Sequence, residues 1–175
     1  MNLTRVRKFT GSAVALVGMA AGFGVLQPTS AQAAPQASTY WKFLNNFHHE
    51  NQCLTGGRVN DNGSGRAFMS SCSDSQYQQW DWRGTDSTDP KFVQLQNRAT
   101  GLCLATDNIS DINTVWTSKC EWRSGMRFRY DYRSGGGGDL CVNIKKSNGD
   151  YSCLHVASTG AVYSGYSDGN WSGVR

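Results

Sequence analysis

Thr100-Gly101-Leu102-Cys103-Leu104 decides the fold, because its Cys-Leu pair stands midway between two others. Cys53-Leu54 precedes it by 50 residues and Cys153-Leu154 follows it by 50. The same order of elements recurs around each copy, and self-similarity at a fixed period marks a repeat architecture. The first copy opens with an aromatic strand, Tyr40 to Asn46, followed by the Cys53-Leu54 strand and a polar loop holding the turn dipeptide Asn62-Gly63. A third strand, Ala67 to Cys72, leads to a fourth over Gln78-Gln79-Trp80-Asp81-Trp82. The second copy repeats this with Phe92 to Asn97, Leu102 to Thr106, Thr114 to Cys120 and Met126 to Tyr132. The third runs Leu140 to Ile144, Cys153 to Val156, Ala161 to Tyr166 and a strand at Trp171. Between copies two and three, the Gly135 to Gly138 run reads as a flexible loop.

Gly is abundant and Pro scarce, and no stretch of useful length has the 3.6-residue period of a helix, so the class is all-β. One four-stranded copy cannot bury its own apolar face. Three together enclose a shared core, which implies a closed β-structure with pseudo-threefold symmetry. Trp80, Phe128 and Trp171 occupy matching positions in the copies and are expected to fill its axis.

The N-terminus reads as an export signal. Arg5, Arg7 and Lys8 precede an apolar stretch from Ala13 to Leu26, and Ala31-Gln32-Ala33 has the small-any-small form of a cleavage site. The apolar stretch is 14 residues long, short of the roughly 17–25 that span a bilayer. The expected organisation is a signal peptide over 1–33, a flexible arm over 34–39 and a single domain over 40–175. Such a protein is secreted and has no membrane span after cleavage. The whole chain has 17 basic and 13 acidic residues; removing the three basic residues of 1–33 leaves a net charge of +1. That balance argues against nucleic acid as a partner.

Thr100-Gly101-Leu102-Cys103-Leu104, the Cys120 that closes its unit, and Gln78-Gln79-Trp80 resemble the ricin B-chain-type lectin repeat. The resemblance runs from Tyr40 to about Trp171. It implies a β-trefoil of three roughly 40–50-residue four-stranded repeats. The glutamine-any-tryptophan signature is complete in copy one; Met126-Arg127-Phe128 and Gly169-Asn170-Trp171 are eroded versions.

All six cysteines follow the signal, and an even count in an exported chain points to disulfides. Sequence alone leaves 15 connectivities open. The resemblance implies Cys53–Cys72 and Cys103–Cys120, each joining the second and third strands of a copy, which leaves Cys141 for Cys153. No Cys-x-x-Cys or common zinc spacing is present, so no metal is expected. His48-His49-Glu50 lacks the i, i+4 histidine pair of a helical zinc site. Asp107-Asn108-Ile109-Ser110-Asp111 lacks the Gly of a tight calcium loop and reads as solvated. Glu50 and Glu121 are the only glutamates after the signal. No nucleophile elbow, phosphate-cradling loop or dinucleotide fingerprint appears. The expectation is a binding protein that is not an enzyme and needs no cofactor.

The resembling family binds galactose-type sugars. Each of its pockets uses a carboxylate two residues after the first cysteine, an aromatic two before the second, and an asparagine just before the signature glutamine. This chain departs at each position. It has Thr55, Ala105 and His155 for the carboxylate, Ser70 and Ser118 for the aromatic, and Tyr77 and Gly125 for the asparagine. Strand alternation puts the residues four and two before the second cysteine on one face, and the former are Phe68 and Trp116. Trp116 is then a shifted stacking platform with Asp107 and Asn113 as polar neighbours; the equal alternative is a surface Trp packed under a loop.

The partner is therefore expected to be a carbohydrate, recognised through an altered pocket. The alternative is a secreted protein partner, with the chain acting as an adaptor subunit or a trefoil-type inhibitor. For that reading, Met126 to Arg133 alternates Phe128, Tyr130 and Tyr132 inward with Arg127, Arg129, Asp131 and Arg133 outward, and the arginines would face an anionic partner.

Overall fold

The computed structural model describes residues 40–45, 51–84, 91–107, 109–110, 112–166 and 169–174. The expected signal peptide over 1–33 and expected arm over 34–39, with His48, His49, Glu50, Asn108 and Asp111, lie outside them. Contacts divide the chain into two units, 1–36 and 37–175, and all the described residues belong to the second.

The described residues of that unit form twelve strands in three sets of four. The first set is β1 (Lys42–Asn45), β2 (Gln52–Gly56), β3 (Gly65–Ser71) and β4 (Trp80–Arg83). The second is β5 (Gln94–Asn97), β6 (Cys103–Thr106), β7 (Asn113–Ser118) and β8 (Phe128–Tyr132). The third is β9 (Gly138–Lys145), β10 (Tyr151–Val156), β11 (Val162–Tyr166) and β12 (Trp171–Val174).

The first and fourth strands of each set close a ring. β4 pairs with β5, β8 with β9, and β12 with both β9 and β1. Single bridges between Trp41 and Trp80 and between Val93 and Phe128 join the remaining neighbours. The second and third strands form hairpins, β2–β3, β6–β7 and β10–β11. These meet in a triangle through Arg66↔Trp116, Tyr163↔Thr114 and a Phe68↔Ala161 bridge. A six-stranded barrel capped by three hairpins is the β-trefoil arrangement.

The period-2 pattern explains the closure. Gly65, Ala67 and Met69 of β3 are buried while Arg66, Phe68 and Ser70 are not; in β7, Asn113, Val115 and Thr117 alternate with Thr114, Trp116 and Ser118. The inward residues join Leu54, Leu104 and Leu154 and the axial Trp80, Phe128 and Trp171, all six fully buried. Each axial indole has a partner: Trp80 Nε1 donates to the Leu54 carbonyl at 2.9 Å, and Trp171 Nε1 to that of Leu154 at 2.8 Å. Phe128, with no N–H, makes no counterpart.

Disulfides join Cys53 to Cys72, Cys103 to Cys120 and Cys141 to Cys153. In the third copy the bridge links residues directly opposite each other on β9 and β10.

Three local readings change. Gln76–Gln78 and Ser124–Met126 are single 3₁₀ turns rather than the starts of β4 and β8. The Ser75 hydroxyl accepts from the Tyr77 N–H and fixes the first of these turns. The glycine run is an ordered hairpin turn: Gly136 N–H donates to the Arg133 carbonyl and Arg133 N–H to that of Gly137. Gly138 is itself buried in β9, where a Cβ would meet the Asp131 carbonyl oxygen at 2.3 Å. Tyr132 does not point inward; at the end of β8 it is 72% exposed and packs edge-on to Tyr130 at 4.7 Å.

Candidate functional site

The outward residues of β2 and β3, together with the 3₁₀ turn before β4, frame a surface pocket of about 360 Å³. Its rim carries Phe68, Tyr77 and Arg58, and its floor Thr55, Ser70 and Gln78. Phe68 stands where strand alternation placed it, half-buried, with the Arg66 guanidinium 6.0 Å from its ring centre.

The floor is a closed hydrogen-bond network centred on the buried Gln78. Its Nε2 donates to Ser70 Oγ at 2.8 Å, the Ser71 carbonyl at 2.9 Å and Thr55 Oγ1 at 3.3 Å. Its Oε1 accepts from the Ser73 N–H at 2.7 Å. Thr55 Oγ1 donates to the Cys53 carbonyl at 2.9 Å and lies 2.7 Å from Ser70 Oγ. The Thr55 proton is thereby used, so the Ser70 hydroxyl donates to Thr55. Ser70 Oγ accepts from Gln78 and keeps one lone pair for a ligand hydroxyl. The pocket thus joins two aromatic rings to a neutral, rigid, hydroxyl-lined floor.

The second copy is arranged differently. A pocket of about 430 Å³ is lined there by Thr106, Asp107, Arg123, Ser124, Asn143 and Lys145. Gly125 replaces the expected asparagine because the turn lies directly on β6: a Cβ would meet the Thr106 carbonyl oxygen at 2.1 Å. Asp107 lines this pocket and Trp116 does not. Trp116 is half-buried, faces Ala105 and Arg66 across its two neighbouring strands, and has the Arg123 guanidinium 6.0 Å from its ring centre.

Asn113, expected beside a ligand, is turned into its own loop. It is buried, and its amide is engaged by the loop before β7, accepting from the Ser110 N–H at 2.8 Å and donating to the Ser110 carbonyl at 2.6 Å. The expected ligand-binding residues are therefore divided: Phe68 lies in the copy-one pocket, and of the copy-two set Asp107 lines a separate pocket, Trp116 lies between strands and Asn113 is internal. In copy three, His155 faces Tyr163 across β10 and β11.

The arginine row is engaged within the chain. Arg129 lies 4.9 Å from the Phe92 ring centre and 4.5 Å from that of Tyr151, with Nε 2.7 Å from Asp131 Oδ2. Arg133 makes a two-pronged pair with Asp139, at 2.9 and 2.7 Å. Arg127 donates to Ser124 Oγ at 3.2 Å. Each arginine of the expected partner surface is thus already engaged within the chain.

Two concave features have no counterpart in the sequence reading. One, of about 230 Å³, lies at the barrel mouth between Trp41, Trp82, Tyr130 and Tyr132. The other, of about 400 Å³, is walled by Trp122. The alternation of Trp80 with Trp82 hints at the first; nothing local signals the second.

No family model matches the chain, and no curated protein does. Solved structures do. The designed threefold-symmetric protein ThreeFoil superposes with a TM-score of 0.61 at 19% identity, covering 78% of this chain and 98% of that one. A BEL β-trefoil gives 0.57 at 12% identity, covering 81% and 96%. Part of an exo-β-1,3-galactanase from Clostridium thermocellum gives 0.62 at 13% identity, covering 79% of this chain and 30% of that one. At these identities the likeness establishes the fold alone: the chain is a β-trefoil. No helix among the described residues is long and apolar enough to cross a membrane.

Proposed function

We propose that the chain is an exported, non-catalytic binding module of the ricin B-chain lectin type that recognises neutral carbohydrate through its copy-one pocket. The observation that carries this reading is the combination of Phe68 and Tyr77 at the rim with the fixed Ser70 hydroxyl on the floor. A sugar ring has an apolar C–H face that suits an aromatic wall and hydroxyls that need polar partners. The presence of a galactanase among the structures with this fold supports a polysaccharide ligand. The three disulfides support an oxidising, extracellular setting.

Thr55 in place of a carboxylate removes the charge-assisted hydrogen bonds that fix hydroxyl stereochemistry. Binding is then weak, near millimolar or about −4 kcal/mol per site, and tolerant of sugar type. The pocket lining is made of hydroxyl, amide, backbone and aromatic groups with Arg58 at the rim, a set that supports binding without turnover.

A glycan array that includes bacterial cell-wall polysaccharides and β-1,3-galactan tests this. Wild-type protein is expected to bind, Phe68→Ala to lose most of the signal and Trp116→Ala to keep it. Silence across the array contradicts the sugar reading. The barrel-mouth groove, with Tyr132 exposed beside Trp41 and Trp82, favours a secreted protein partner as the second reading.

A further inference from the structure

We propose a second saccharide site at Trp122, in the pocket formed by the end of β4, the start of β5 and the segment after Cys120. The pocket encloses about 400 Å³ and is lined by Arg83, Gly84, Gln94, Cys120 and Trp122. Trp122 is 47% exposed, and an exposed indole beside a concavity offers a flat apolar stacking surface.

The ring is held in place. A Cβ at residue 84 would lie 2.9 Å from Trp122 Cζ3 and 3.0 Å from Cη2, so the indole rests against bare backbone. Gly84 also has φ +75°, which a side chain there would strain. From the other side, Gln94 Nε2 donates to the Glu121 carbonyl at 2.8 Å and ties β5 to the segment that carries Trp122. The Cys103–Cys120 bridge anchors that segment to β6. A platform fixed at three points loses little entropy on binding.

The polar complement sits beside it. Arg83 and Gln94 face each other across β4 and β5. Arg83 donates one N–H to Gln96 Oε1, leaving further guanidinium donors, and Gln94 keeps its Oε1 as an acceptor. One flat apolar wall with donors and an acceptor at its edge matches a pyranose, with its C–H face and hydroxyl rim.

This site shares no residue with the copy-one pocket and stands or falls separately. Together the two sites would hold a polymer far better than either holds a short fragment, through effective concentration alone.

The test compares wild-type, Trp122→Ala, Trp122→Phe, Gly84→Ala and Phe68→Ala proteins on the same array. β-1,3-Galactan and the best-retained polysaccharide are then titrated while tryptophan fluorescence is followed. Trp122→Ala is expected to lower polymer binding at least about tenfold, with an unchanged melting temperature because the ring is outside the core. Trp122→Phe should keep most of the binding, and Gly84→Ala should mimic the alanine variant by displacing the ring. Loss in Trp122→Ala with none in Phe68→Ala upholds this site and removes the copy-one reading. Binding by Trp122→Ala equal to wild type on every polysaccharide overturns this site alone. Failure of wild type to bind any polysaccharide overturns both.

Discussion

Gln78 reaches under the β2–β3 hairpin and donates through Nε2 to Ser70 Oγ at 2.8 Å, holding the one floor hydroxyl that retains a lone pair for a ligand. The same side chain accepts from the Ser73 N–H. Replacing it with methionine keeps the volume but leaves these buried groups unpaired, at a cost of about 2–3 kcal/mol. Urea unfolding of Gln78→Met should show that loss with an unchanged slope.

Trp80 and Trp171 are predicted to be energetically equivalent although their copies have diverged. Each indole donates to a buried Leu carbonyl, and each is fully enclosed. Phenylalanine at either position removes the donor and part of the ring, costing about 2–4 kcal/mol. Chemical denaturation of Trp80→Phe and Trp171→Phe should give losses within about 1 kcal/mol of each other.

The Tyr130 phenol is held above its ordinary pKa of 10.0, mainly by burial, with Tyr132 and Asp139 adding to the rise and the Gly173 N–H opposing it. The unfolded chain therefore releases this proton first as pH rises. The contribution is whole below about pH 10 and is lost as pH climbs through the folded-state pKa. Tyr130→Phe should flatten the alkaline limb of stability against pH. It should also cost about 1–2 kcal/mol at neutral pH, because the hydroxyl donates to the Trp171 carbonyl at 2.7 Å and accepts from the Gly173 N–H.

The Cys141–Cys153 bridge staples the third copy across directly opposed strand residues. Removing both cysteines as serines should destabilise the domain by about 2–4 kcal/mol. Thermal unfolding of the oxidised variant against wild type measures it.

The repeat was legible because its Cys-Leu pairs and axial aromatics face the core, where burial fixes residue type. The twelve strands follow from that pattern, apart from their ends. Gln78 reads as strand from its neighbours, but the Ser75 cap turns it into a 3₁₀ turn. Tyr132 continues the inward alternation of β8, yet the barrel ends before it and leaves it exposed.

The site was legible only in part. Phe68 follows from alternation, whereas Asn113 looks like a ligand residue until its loop is seen to engage both ends of the amide. The contact of Trp122 with Gly84 joins residues from different copies, and no local pattern encodes it.

Carbohydrate recognition at the copy-one pocket is tested most sharply by labelling phenylalanine and tyrosine rings and titrating the protein with the glycan it retains best on the array. The Phe68 and Tyr77 ring resonances are expected to move together, saturably, and Phe68→Ala to abolish the movement. Saturable binding with both rings unmoved, or no glycan retained at all, would contradict recognition there.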